Sequence, residues 1–153
     1  MCIRDSGQAW GLYGFTMMYR QTGKKEYLDH AIKIGKFIMN HPRLPKDKIP
    51  YWDFDAPNIP NEPRDASAAA CTASALYEME NYLPGNDYKV TADKIMESLG
   101  SPAYRAAVGT NGNFILMHSV GSIPHDSEID VPLNYADYYF LEGLMRKRDM
   151  EKK

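Results

Sequence analysis

Two kinds of helical segment alternate along this chain, and the alternation restricts the fold more than any single motif does. The first segment, from about Gly7 to Tyr19, carries Ala9, Trp10, Leu12, Tyr13, Phe15, Met17 and Met18 and has almost no polar face. A helix that is apolar all round is normally covered on more than one side. The second, about Lys25 to Asn40, has a single stripe of Tyr27, Ala31, Ile34 and Ile38 opposite Asp29, Lys33 and Lys36, the pattern of a helix with one face in solvent. Gly23 is a natural stop between them, and His41-Pro42 ends the second. The third segment, about Asp65 to Tyr82, holds "SAAACTASAL", small residues on nearly every face. The fourth, about Tyr88 to Leu99, returns to one stripe of Tyr88, Ala92, Ile95 and Leu99. A fifth, about Leu133 to Lys147, starts apolar all round in "YADYYFLEGL" and ends basic.

Buried, amphipathic, buried, amphipathic, buried is the order expected of helical hairpins in two concentric layers. Such hairpins share a core only with their neighbours. The expected fold is therefore all-α, part of an α/α toroid, with one flank of the inner layer left uncovered by so few hairpins. A tetratricopeptide solenoid is the competing architecture, because "WGLYG" partly matches the opening of that repeat. The match does not recur: one repeat length after Trp10 stands Leu44, in the proline-rich "HPRLPKDKIP". Between the fourth and fifth helices a turn of helix is expected at Pro102 to Ala107, and "NGNFILMHSVGSIP" reads as a brief strand or extended loop.

Composition removes several function classes. A formal net charge of -2 does not suit a general nucleic-acid binder or an anionic-membrane binder, which need a basic surface. No run approaches the ~18 apolar residues of a membrane span. Cys2 and Cys71 are the only cysteines, too few for a disulfide framework or a clustered metal site. His118, His125, Asp126, Glu128 and Asp130 gather in one stretch but lack the spacing of helical metal ligands, and no phosphate-binding glycine loop or nucleophile elbow is present. No cofactor or metal is expected.

The remaining chemistry lies in aromatics beside carboxylates. "IPYWDFDAPNIPNEPRDASAAA" joins the second and third helices and carries four prolines between Pro50 and Pro63, so it reads as an ordered loop. Tyr51, Trp52 and Phe54 interleave with Asp53 and Asp55. Ring faces that stack and carboxylates that accept hydroxyl protons suit a sugar site. The same residues equally suit a plug at the end of the helical layer. Asp65 reads best as the cap of the third helix. Asp53 and Asp55 form no glycosidase pair that spacing alone establishes, since their separation across a substrate is not fixed.

Three stretches taken together, "GQAWGLYGFTMMYR", "PYWDFDAPNIPNEPRDASAAA" and "HSVGSIPHDSEIDVPLNYADYYFLEGL", resemble the C-terminal part of the bacterial unsaturated glucuronyl hydrolases, glycoside hydrolase family 88. The likeness runs in order from Gly7 to about Arg148. It implies an (α/α)6 toroid of which about five of the twelve helices are present. It also implies hydration of the C4=C5 double bond in the terminal uronic acid of a lyase-generated oligosaccharide. In that reaction a protonated aspartate delivers a proton to C4 and then helps water attack C5, after which the hemiketal opens. This chemistry needs an acid of raised pKa.

The family's two essential aspartates precede the "GQAW" motif, so no residue of this chain inherits their role, and the chain alone is expected to be inactive. By resemblance Trp10 lines the sugar site, Tyr135 falls on the tyrosine of "NYADYYF", and His118 opens "HSVG". Gln8 favours this family over the unsaturated rhamnogalacturonyl hydrolases, which share fold and chemistry. Trp52 and Asp53 complete the candidate substrate contacts. Core packing is the plain alternative for Trp10 and Tyr135. The implied partner is an unsaturated uronic-acid oligosaccharide, with no nucleic acid and no membrane; the residues do not fix a compartment, and the resemblance implies bacterial cytoplasm or periplasm. A free-standing carbohydrate-binding or helical interaction module is the other reading of the whole chain.

The family's motif begins with arginine where this chain has Ser6. "MCIRDS" also resembles the in-frame translation of a transposase sequencing adapter. Residues 1–6 are therefore expected to be foreign, residues 7–148 to form the toroid segment, and residues 149–153 to be a charged tail.

Overall fold

In the computed structural model, residues 5–152 are described. Five helices lie in two layers: α1 (Asp5–Thr22), α2 (Lys25–Met39), α3 (Ala66–Tyr82), α4 (Tyr88–Gly100) and α5 (Asn134–Glu151). α3 is the centre. It packs on α1 to one side, on α5 to the other, and on α4 behind, while α2 packs on α1. The inner layer is thus α1, α3 and α5 and the outer layer α2 and α4, a partial α/α toroid as the alternation predicts.

Local chemistry sets the ends of these elements. Gly23 takes a left-handed φ of 67°, and its N–H donates to the Tyr19 carbonyl at 2.8 Å, which closes α1 and folds α2 back on it. Asp65 caps α3, accepting from the N–H groups of Ser67 and Ala68. Every residue of α3 from Ala66 to Met79 is buried, because alanines and serines let helices approach on three sides. In the outer layer α4 buries Tyr88, Ala92, Ile95, Met96 and Leu99 as its stripe predicts. α2 buries Leu28, Ala31, Gly35 and Ile38, a stripe rotated from the expected one. A side chain at Gly35 would meet Leu12, Met79 and Tyr88, so the smallest residue marks the closest approach, and Tyr27 and Ile34 are only half-buried.

Four expectations need correction. α1 is covered on one side only: Ala9, Leu12 and Thr16 are buried, but Trp10, Met17 and Met18 are exposed. α5 likewise exposes Tyr138, Leu141, Leu144 and Met145. These are the outer flanks of the inner layer, where no described helix packs; the alternation predicts one such uncovered flank, and the structure has two. Pro102 to Ala107 forms turns ending in an isolated bridge, Arg105 to Leu116, and no helix. The stretch after it forms a hairpin that alternation alone did not foretell: β1 (Ser119–Ser122) pairs antiparallel with β2 (Ser127–Val131), with an irregular register between Ser119 and Val120. Residues 149–151, expected to begin a charged tail, lie in the final turn of α5. The expected foreign segment falls partly on residues 1–4, which lie outside the described residues; Ser6 lies in the first turn of α1.

Candidate functional site

The N-terminal ends of the three inner helices carry Gln8, Trp10, His118 and Tyr135, four of the residues singled out by sequence. On the second turn of α1, Trp10 is 46% exposed, and its ring meets two rings from α5. Tyr135 lies at 6.1 Å between centroids, and Tyr139 at 5.3 Å in an edge-on arrangement. Tyr13, one turn further along α1, meets Tyr139 edge-on at 4.9 Å. The rings form a ladder between α1 and α5 with the outer part of Trp10 open to solvent. An exposed, buttressed indole is the usual form of a sugar-stacking platform. Gln8 is half-buried on the same part of α1.

His118 is tied to the start of α3, since its carbonyl accepts from the Ala66 N–H at 2.9 Å. Its ring nitrogen Nδ1 pairs with Asp130 at 2.6 Å across the hairpin, and the ring stands edge-on to Tyr104. His118, Glu128 and Asp130 all adopt left-handed φ angles near 60°, which cost energy for residues with side chains and are held by surrounding contacts.

Asp65 joins these parts. Its side chain is 1% exposed and its Oδ1 accepts from the Ser67 hydroxyl at 2.6 Å, the Ser67 N–H at 3.0 Å, the Ala68 N–H at 3.2 Å and the Val120 N–H at 3.4 Å. Burial raises its pKa above the ordinary carboxylate value, against the opposing pull of those hydrogen bonds. It is the cap that the sequence suggests, and it also pins the hairpin to α3.

Trp52 and Asp53 do not join the ring ladder through their described contacts. The Trp52 indole N–H donates to Glu62 at 2.8 Å, within its own loop. Asp53 is 2% exposed, and its Oδ1 accepts from the Asp55 N–H at 2.7 Å. Asp53 is thus held in the loop interior, while Trp52 is half-buried. Phe54 packs against Phe37 and His41 of the outer side.

Sequence reasoning passed over the polar floor beneath the rings. Glu78 of α3, 7% exposed, pairs with Arg20 of α1 at 3.0 Å and Arg146 of α5 at 2.9 Å. Glu142 accepts from the Tyr13 hydroxyl at 3.0 Å and from the Ser74 hydroxyl, and Arg146 lies near it and over the Tyr13 ring. Burial and the Glu142 charge push the Tyr13 phenol up to about 12. Spacing puts Trp10 and Tyr13, Tyr135 and Tyr139, and Glu142 and Arg146 each one turn apart on its own helix, but it does not show that α1 and α5 meet.

No family model matches the chain. It is 49% identical over 144 residues to an unsaturated glucuronyl hydrolase of Formosa agariphila, covering 94% of this chain and 36% of that protein. It is 35% identical over 147 residues to an unsaturated chondroitin disaccharide hydrolase of Streptococcus agalactiae, covering 92% and 36%. The solved structure of an unsaturated glucuronyl hydrolase specific for heparin superposes with a TM-score of 0.94 at 52% identity, over 97% of this chain and 40% of that one. The chain is homologous to the unsaturated glucuronyl hydrolases. It spans well under half the length of these hydrolases. The Streptococcus agalactiae glucuronyl hydrolase matches with a TM-score of 0.84 at 32% identity, over 94% of this chain and 39% of its own, and a mutant of it is known in complex with dGlcA-GalNAc6S. The hydrolase relatives thus share the two-layer arrangement over nearly the whole of this chain.

Proposed function

We propose that this chain is the part of an unsaturated glucuronyl hydrolase that supplies an aromatic floor for the substrate, and that the whole protein hydrates the C4=C5 bond of a terminal unsaturated uronic acid. The observation that carries this reading is the open indole of Trp10 braced by Tyr135 and Tyr139 at the N-terminal end of the inner helices. Stacking on an apolar sugar face uses the exposed part of the ring, and the buttressing rings spare the cost of ordering it on binding. Within the described residues two carboxylates near that end are committed. Asp65 is a buried cap and Asp130 pairs with His118. The family resemblance implies that the proton-donating aspartate belongs to the part of the hydrolase that this chain does not span. The substrate is an unsaturated uronic-acid oligosaccharide; the relatives named for glucuronyl and chondroitin disaccharides support that class.

The test is the complete open reading frame that contains this sequence. Its product is expected to bleach the ultraviolet absorbance of an unsaturated uronide disaccharide, and Trp10→Ala in that product is expected to lower kcat/KM about 10- to 100-fold, the loss of ~1.4 to 3 kcal/mol of stacking. A product that bleaches no unsaturated uronide refutes the proposal.

A further inference from the structure

α1 and α5 are not neighbours in the inner layer; α3 separates them. Their side chains nevertheless meet, because the α3 stripe between them is built from Cys71, Ser74 and Glu78, one turn apart and short where the crossing occurs. Cys71 Sγ donates to the Ala9 carbonyl at 3.6 Å, and Ser74 donates to Glu142 while its carbonyl accepts from Arg146 at 2.7 Å. The small residues leave room for Tyr13 and Tyr139 to pass over α3 and touch.

The contacts then run in one direction toward the platform. The Glu142 carboxylate holds the Tyr13 hydroxyl at 3.0 Å, with Arg146 at 3.4 Å completing its shell. Tyr13 meets Tyr139 at 4.9 Å with an interplanar angle of 67°, and Tyr139 meets Trp10 at 5.3 Å with 84°. Trp10 itself is nearly half exposed, so its covered side alone selects its rotamer. We propose that Glu142 is a positioning residue, which sets the pitch of the Trp10 indole through Tyr13 and Tyr139 without touching the substrate. This rests on the reading of Trp10 as a sugar platform. A platform fixed before binding avoids the entropy loss of one immobilised side chain, a gain of roughly three- to tenfold in affinity.

The experiment uses the 153-residue chain with Trp52→Phe, so that Trp10 is the only indole. Glu142→Gln keeps the shape but removes the charge; Tyr13→Phe keeps the ring and removes only the hydroxyl. Both are expected to weaken the near-ultraviolet circular dichroism band of Trp10 and to raise Kd for an unsaturated uronide disaccharide about three- to tenfold, read from indole quenching. Asp93→Asn, a destabilising change on the other side of α3, is expected to leave the band unaltered. If Glu142→Gln and Tyr13→Phe fold with the indole band and Kd of the parent chain, the proposal fails. Trp10→Ala, which leaves no indole to quench and is titrated by calorimetry, refutes the platform reading instead if it binds the disaccharide unchanged, and the sugar-free indole band of the variants that keep Trp10 still decides the positioning claim on its own.

Discussion

Replacing Asp65 with alanine removes the acceptor that four donors share at the junction of α3 and the hairpin. The magnitude follows from what each donor loses. Truncating an N-cap costs ~1 kcal/mol. Leaving the buried Val120 N–H without a partner costs ~1 kcal/mol more, at the low end because its 3.4 Å bond is long. The Ser67 hydroxyl rotates to another acceptor and adds little. A loss of about 2 kcal/mol follows, or about 4 to 8 °C in Tm for a chain of this size.

Asparagine gives the contrasting result. It caps as well as aspartate and keeps one acceptor oxygen, yet it carries no charge into a site where burial raises the carboxyl pKa. Asp65→Asn is therefore expected to stay within about 0.5 kcal/mol of the parent near neutral pH. The pH dependence has a definite sign. A raised folded pKa means the folded state holds the proton more tightly than the unfolded one. The parent is thus favoured most below the unfolded value of 3.8 and loses that share as pH rises through the folded value. The stability gap should move toward asparagine as pH climbs above about 4. Urea unfolding of the chain at low concentration, followed by far-ultraviolet circular dichroism at several pH values, reads all of this. An alanine variant that loses less than about 0.5 kcal/mol, or an asparagine variant as damaged as alanine, would refute the reasoning.

Three further outcomes follow from the same geometry. Asp93 takes bonds from Lys89, Lys147 and Tyr77, which outweigh burial and hold its carboxyl down at about 2. Its stabilisation is complete above the unfolded value of 3.8 and is lost as pH falls through about 2, so Asp93→Asn should cost ~1 kcal/mol at pH 7 after allowing for partial exposure, and nothing in strong acid. Gly143 packs on Met96, where an added Cβ would come within 3.1 Å of the sulfur; Gly143→Val should lower stability by ~1 to 3 kcal/mol in urea titration. The exposed apolar flanks of α1 and α5 should make the 153-residue polypeptide self-associate at micromolar concentration, and Leu141→Lys with Met145→Glu should raise the monomer fraction in analytical ultracentrifugation.

The layering was legible because period and residue size speak directly to burial. One-sided stripes in α4 and the all-small face of α3 need no tertiary knowledge. Gly23 and Asp65 were legible because stops and caps are local chemistry. The hairpin was harder to read. Its left-handed positions are occupied by His118, Asp126, Glu128 and Asp130, none of them the glycine that normally announces such a turn. The roles of Trp52 and Asp53 depend on Glu62 and Asp55 within the folded loop, a choice between plug and platform that composition leaves even. Tyr139 and Glu142 matter through a crossing over α3, and long-range crossings leave no trace in periodicity.

The most direct measurement is a titration of the 15N-labelled chain, carrying Leu141→Lys and Met145→Glu to keep it monomeric, with an unsaturated uronide disaccharide, following the two indole N–H signals. The chain has two tryptophans, one on the ring ladder and one in the loop, and Trp52→Phe assigns them. The account predicts a saturable shift of the Trp10 signal while the Trp52 signal, bonded to Glu62, stays in place. A shift confined to Trp52, or no shift of either signal up to millimolar disaccharide, would contradict it.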